Sequence, residues 1–375
     1  MTTAQAPEHS RPSATPLRPL PDQREQWIAH RNPIPFAEAA QRVLDSHAAD
    51  GDRDDLAAHD LRTWAFGGVD GTMAVVPVPL PGRSALAPIP LRELGFSQLC
   101  QRVGAPPAYI RALPAKLQVA NMNWGLAREK QAALLRIGGG ECRAVVSDRY
   151  SALDDALVLE VLHDVLDRAG FLDDALVRAT AVGTSTILRI TVPSEGVAVK
   201  VGDVIEYGLD IGNSEVGLRS VQVTPITYRL MCTNGMRAWK SEAGLRMRHI
   251  GDPKRLREQL RDAVPVAFAE ARGDIERWRR ATDVLIDNAL DEVESLRAFG
   301  LGQAEIQAVG RQIAQTGALL PANTSNETLT QLLAVPTTVF EMANALTATA
   351  RDRADVASRL TLEETAHRYL SRRTA

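Results

Sequence analysis

Hydrophobic residues recur along this chain in two rhythms, and the change from one to the other divides it. Over 155–169, Val158, Val161, Leu162, Val165 and Leu166 keep the i, i+3, i+4, i+7, i+8 spacing of one helical stripe. Asp154 or Asp155 is placed to cap that helix, and Gly170 to end it. Between Leu176 and Met236 the pattern turns to β, predicting strands over 176–182, 185–193, 203–212 and 219–231. In the third, Val204, Glu206, Gly208 and Asp210 take one parity and Ile205, Tyr207, Leu209 and Ile211 the other. The segments 201–203 and 213–217 supply turns. After residue 252 helical spacing returns. It predicts a helix from Asp252-Pro253 to about 280. An amphipathic continuation follows through Trp278, Ala281, Leu285 and Ala289, broken at Gly300 and Gly302. Further helices are predicted at 303–315, 326–335, 337–351 and 361–370.

The first 150 residues are more mixed. Residues 1–25 are rich in Pro, Ser, Thr and Ala and predict a disordered tail, because they bury too little to offset ordering entropy. A short helix is expected at 36–48 and a loop at 50–55. Two strands are expected within 62–80, around the turn Gly67–Gly71. Residues 91–118 read as helix in two parts, with Pro106 and Pro107 in the first turn of the second, and Asn121–Trp124 starts another. The runs 133–137 and 143–147 flank Gly138-Gly139-Gly140-Glu141, a β-hairpin signal. These glycines do not form a phosphate loop, since no Gly-Lys-Ser/Thr follows and the next element is a strand. The fold class is α+β: a central antiparallel sheet with the hairpin, a packed helix, and a helical C-terminal region. The corresponding segments are 1–25 (tail), 26–130 (mixed), 131–250 (sheet core) and 251–375 (helical).

Charge changes this picture in one place. The chain of 375 residues is 45% hydrophobic and carries a formal net charge of −3, so it is no simple basic nucleic-acid binder. Between Arg237 and Arg261, however, eight Lys/Arg stand against three Asp/Glu. Arg246 and Arg248 lie two apart and share a face in a strand; Lys254 follows at a helix start that adds backbone donors. The same residues also fit a solvated basic helix face. A second basic spot, Arg143, Asp148, Arg149 and Tyr150, ends the hairpin, and its Asp-Arg-Tyr equally fits a turn with an internal ion pair. If the two spots share one sheet edge, Tyr150 is available for base stacking.

The three cysteines, Cys100, Cys142 and Cys232, are far apart and have no metal-ligand spacing, which fits reduced thiols in a cytoplasm. No apolar run approaches the ~18 residues of a membrane span. No metal or cofactor is expected, and the common hydrolase, zinc-protease and nucleotide-loop motifs are absent. The pairs Asp154-Asp155 and Asp173-Asp174 sit where helix caps belong.

The motifs Arg143–Tyr150 with Leu153-Asp154, Gly202-Asp203, Asn213–Gly217, Tyr228–Met236, Arg248-His249 and Asn344–Thr347 occur in order. In these the chain resembles a family of phage and plasmid proteins known as domain of unknown function 932, from about residue 90 to 370. The resemblance implies a cytoplasmic accessory protein of a mobile element and implies no activity or cofactor. The order of hairpin, helix and sheet is loosely similar to phage single-strand annealing proteins, a likeness of architecture alone.

Three readings follow. In the first, the protein binds or anneals single-stranded DNA. Arg143, Arg149, Arg246, Arg248 and Lys254 contact phosphates, Tyr150 stacks, and Asn213, Asn234 and His249 complete the site. In the second it is a homo-oligomeric interaction or regulatory factor opposing a host system, with a host protein as partner. In the third it is an enzyme of unrecognised class centred on Asn213, Glu215, Cys232, Asn234 and His249.

Overall fold

The computed structural model describes residues 15–22, 26–48, 51, 56–77, 87–200, 203–230, 234–238, 244–315 and 325–375. They fall into two compact units. Unit 1 draws on 1–23 and 47–150; unit 2 draws on 24–46 and 151–375. In chain order the first elements are β1 (Gln26–Pro35), α1 (Phe36–Ala48), β2 (Leu56–Asp60), β3 (Trp64–Val69), β4 (Thr72–Pro77) and β5 (Ile89–Pro90). Next come α2 (Glu93–Arg102), α3 (Pro107–Ala112), α4 (Ala115–Leu126), β6 (Ala132–Gly138) and β7 (Glu141–Ser147). Then follow α5 (Asp155–Arg168), β8 (Leu176–Val182), β9 (Thr186–Thr191), β10 (Val197–Lys200), β11 (Asp203–Asn213), β12 (Val221–Arg229), β13 (Asn234–Arg237) and β14 (Leu245–Met247). The last third holds α6 (Pro253–Asp283), β15 (Leu285–Ile286), α7 (Ala289–Ser295), α8 (Gln303–Gln315), α9 (Asn326–Leu333), β16 (Thr337–Thr338), α10 (Val339–Arg351) and α11 (Val356–Arg373).

In unit 1 the hairpin forms as its glycines require. Gly139 and Gly140 both take positive φ, 58° and 77°, the conformation of a two-residue turn between twisted strands. β2 pairs with β6, so the hairpin belongs to a three-stranded sheet of unit 1 and not to the large sheet. β3, β4 and β5 make a second sheet. Phe66, Met73, Leu91, Phe96, Leu99 and Met122 fill the core between them and the helices. α3 starts at Pro107 with Pro106 at its N-cap, as the missing N–H groups allow.

Residues 15–22 depart from the expected tail. Leu17 is buried, Arg18 bridges to Thr72 and Leu20 to Arg92. Leu17 fits because Gly68 has no side chain: a Cβ there would lie 2.4 Å from a Leu17 methyl. Of the rest of the tail, 1–14 and 23–25 lie outside the described residues, as do 50 and 52–55 of the expected loop.

Unit 2 is built on an antiparallel sheet ordered β1-β8-β9-β11-β12-β13, with β10 beside β11 and β14 beside β12. β8, β9, β11 and β12 match the four predicted strands closely. β1 was not expected: its polar start and two prolines, Pro33 and Pro35, hide a strand that lies at the sheet edge, where a missing N–H is tolerated. α1, α5 and α6 cover one face and share a core with it: Phe36, Ala39 and Val43 from α1, Val158 to Leu166 from α5, Leu256 to Ile275 from α6, and Tyr207, Leu209 and Ile211 from β11. A second core joins Trp278 and Ala281 of α6 to α7–α11.

α6 ends at Asp283, close to the expected 280, and the amphipathic continuation towards Gly300 is divided into a short strand and a separate helix. Leu285–Ile286 pairs with Thr337–Thr338, and Asn288 caps the next helix by accepting from the Leu290 and Asp291 amides. Both switches rest on local capping and pairing that a hydrophobic stripe does not encode. α10 opens with a reciprocal cap between Thr338 and Glu341.

Candidate functional site

The residues singled out from the sequence separate into three groups. The first converges on the entry to α5. Asn213, at the end of β11, donates through Nδ2 to the Leu153 carbonyl at 2.8 Å and to the Asp155 carboxylate at 2.7 Å. Glu215 accepts from the Asp155 amide at 3.1 Å, and Thr186 donates to the other Asp155 oxygen at 2.5 Å. His249 and Ser151 are tied twice: the Ser151 amide donates to the His249 carbonyl at 2.8 Å, and His249 Nδ1 lies 3.3 Å from the Ser151 carbonyl. Asn213, Glu215, His249 and Asp155 are all buried. Together they clamp residues 151–155 to the sheet. Glu215 also corrects the capping expectation: Asp154 stands at the N-cap without a side-chain cap bond, and a carboxylate from another loop satisfies the first helical amide instead.

This clamp explains why the polar cluster 213–215 interrupts a β pattern. Asn213 and Glu215 bond groups at the helix start and Ser214 donates to the Thr184 carbonyl; Asn213 and His249, expected at a nucleic-acid site, are buried in these ties. Cys232 and the Asn234 side chain lie outside the described residues; the Asn234 backbone opens β13 opposite Arg229.

The second group is in unit 1. Arg143, expected at a phosphate, is buried in β7. Tyr150 is half-buried, with the Arg136 guanidinium 5.7 Å from its ring centroid. Arg149 is exposed, in a turn whose amide bonds to Ser147 Oγ.

The third group is the basic run, which divides in two. Arg237 is buried in the sheet. Arg257 pairs with Glu160 and Arg261 with Asp164, both on α5. Arg246, Arg248, Lys254 and Arg255 are instead exposed around the junction of β14 and α6, and among the described residues none of them is in an ion pair. The strand alternation expected of Arg246 and Arg248 is present: Met247 between them and His249 after them are buried. Arg246 Nε reaches Ser220 Oγ at 3.3 Å. The α6 start is capped by Asp252, which accepts from the Lys254 amide.

Sequence reasoning missed the densest polar feature, an ionic layer on the other face of the sheet. Arg189 in β9 stands opposite Asp210 in β11, bonds it at 2.8 and 2.9 Å, and reaches Glu363 of α11. Arg237 lies 3.0 Å from the same Asp210 and reaches Glu364 at 2.8 Å. Arg178 forks onto Glu206, which also accepts from Thr191. Gly235 leaves room for Arg189: a Cβ there would lie 2.2 Å from Nη1. At the sheet edge the Trp27 ring sits between Arg189 and Arg359, each guanidinium carbon 4.9 Å from the centroid. Burial opposes charge on Arg189, yet Asp210 and Glu363 hold it well above the ordinary arginine value; burial raises Glu363. The signal was on the page as the acidic parity of β11, Glu206 and Asp210, matched by Arg178 and Arg189 in the preceding strands.

Elsewhere, Cys100 and Cys142 are fully buried, and burial pushes the Cys100 thiol up to about 12. Burial lowers His367 to about 4, and Arg277 adds to the effect. Asp274 lies 3.3 Å from its Nε2, but its charge is engaged by Arg277. No helix of the described residues is long and apolar enough to cross a membrane.

A protein-family model, the domain of unknown function DUF932, matches residues 143–371. The chain belongs to that family, whose match takes in the large sheet from β8 to β14 and most of the C-terminal helices. It leaves out β1 and α1, although both are part of unit 2. No curated protein and no solved structure matches the chain.

Proposed function

We propose that this is a single-stranded nucleic-acid-binding accessory protein of the cytoplasm, of the kind mobile elements carry, and that unit 2 contacts phosphates through Arg246, Arg248, Lys254 and Arg255. One observation carries the reading: these four cations are exposed at one junction and, among the described residues, have no ion-pair partner, while Arg237, Arg257 and Arg261 of the same run are paired. A cluster of exposed cations attracts a polyanion, even on a chain that is acidic overall. Arg149 remains a candidate phosphate contact of unit 1. Asn213, Glu215 and His249, named for the enzyme reading, are buried in the clamp.

The test is charge reversal. A fluorescently labelled single strand titrated at low salt should bind the wild type and lose measurable binding to Arg246→Glu/Arg248→Glu. Equal binding by both proteins, or none by the wild type, overturns the reading.

A further inference from the structure

Unit 1 carries a surface that none of these assignments uses. From Leu94 to Arg128 the chain has no Asp or Glu and four Lys/Arg, at 102, 111, 116 and 128. Arg111 is paired with Glu93, while Lys116 and Arg128 are exposed. On α4 the residues Gln118, Met122, Gly125 and Leu126 are buried. The opposite stripe, Leu117, Ala120, Asn121, Trp124 and Arg128, is exposed. Trp124 is 65% exposed and Leu117 50%; Tyr109, on the adjoining α3, is 56% exposed. An indole this exposed is unusual, because a large ring gains most by burial.

The ring is also held. Asn123, its neighbour, accepts from the Phe66 amide at 2.6 Å and donates to the Phe66 carbonyl at 3.0 Å. Gln118 accepts from the Leu17 amide and donates to the Ile110 carbonyl, both at 2.9 Å, tying α4 to the N-terminal segment and to α3. Arg128 lies over the Trp124 ring, 4.7 Å from its centroid. α4 is thus pinned by its amides, with an indole backed by a guanidinium turned outward.

We infer that the α3–α4 face of unit 1 is a stacking platform for unpaired nucleobases, with Trp124 and Tyr109 taking bases and Lys116 and Arg128 facing phosphates. An exposed indole with cations beside it is what a single strand needs, since every base offers a π-face. The exposed Lys116 and Arg128 beside the rings complement a polyanion better than an apolar protein surface. The inference rests on the nucleic-acid reading above but uses different residues, so the two can fail separately.

The experiment uses the full chain and two labelled probes, an oligothymidine and a duplex of equal phosphate number, with Trp124→Ala, Trp124→Phe and Tyr109→Ala. Exposed as they are, these side chains can be removed without unfolding the unit, which thermal melting checks. Trp124→Ala should weaken oligothymidine about tenfold and leave the duplex unchanged; Trp124→Phe should restore most of the loss. Unchanged affinity in Trp124→Ala overturns the platform, and so does an equal loss for strand and duplex. A change confined to self-association on size exclusion overturns it in favour of a protein contact. Loss on Arg246→Glu/Arg248→Glu with no effect at Trp124 overturns the platform and spares the cation cluster of unit 2. No binding of either probe by the wild type overturns both.

Discussion

On β11, Tyr207, Leu209 and Ile211 belong to the core shared with α5 and α6, while Glu206 and Asp210, one residue out of step, meet arginines and the α11 carboxylate Glu363. The two faces of one strand are equally buried and are held by opposite chemistry. The apolar face gains stability from area alone and tolerates imperfect fit. The ionic face offsets a large desolvation cost only while every partner is in place. A sheet covered on both sides therefore need not be apolar on both sides, and here the ionic side is the more fragile.

Removing one ionic partner makes the sharpest test of that difference. Asp210→Ala leaves Arg189 and Arg237 under-compensated and should destabilise by about 3–5 kcal/mol in urea unfolding. Leu209→Ala on the other face should cost about 2–5 kcal/mol. If Asp210→Ala proves harmless, the ionic face is an ordinary surface and the comparison breaks.

Acid should weaken unit 2 through His367. Its folded value, about 4, lies below the 6.5 of the free side chain. The unfolded chain then takes up the proton first, so stability falls as pH drops from about 6.5 to about 4 and levels below that, a loss of roughly 3 kcal/mol. His367→Gln should flatten that slope in melts across the same range.

Smaller still, Asn213→Ala should cost about 1–3 kcal/mol by removing two bonds at the α5 entry, with nucleic-acid affinity unchanged where the protein is folded. A variant that keeps its stability but loses binding would return Asn213 to the binding surface.

Much of the fold was legible. The spacing of Val158, Val161, Leu162, Val165 and Leu166 placed α5, and the glycines 138–140 placed the hairpin turn, because both signals are local. β1 was not legible, since Trp27 and Ile28 gain a role only through pairing with β8. The site was legible only in part. Arg246, Arg248 and Lys254 stand out as candidates because charge clusters along the chain. Nothing local separates them from Arg257 and Arg261, whose partners lie on α5 nearly a hundred residues earlier. Asn213 and His249 were picked out as polar interruptions, which is also how a buried clamp looks in sequence.

The smallest effect on stability should accompany the largest on binding. Arg246→Ala/Arg248→Ala removes exposed side chains and should change unfolding free energy by less than about 0.5 kcal/mol. The decisive measurement is the salt dependence of single-strand affinity for this variant beside the wild type. The account predicts a wild-type log–log plot of affinity against salt that falls steeply, and a variant slope shallower by about 1.4, since each lost phosphate contact removes about 0.7 for a single strand. Parallel slopes, or wild-type binding that ignores salt, would contradict it.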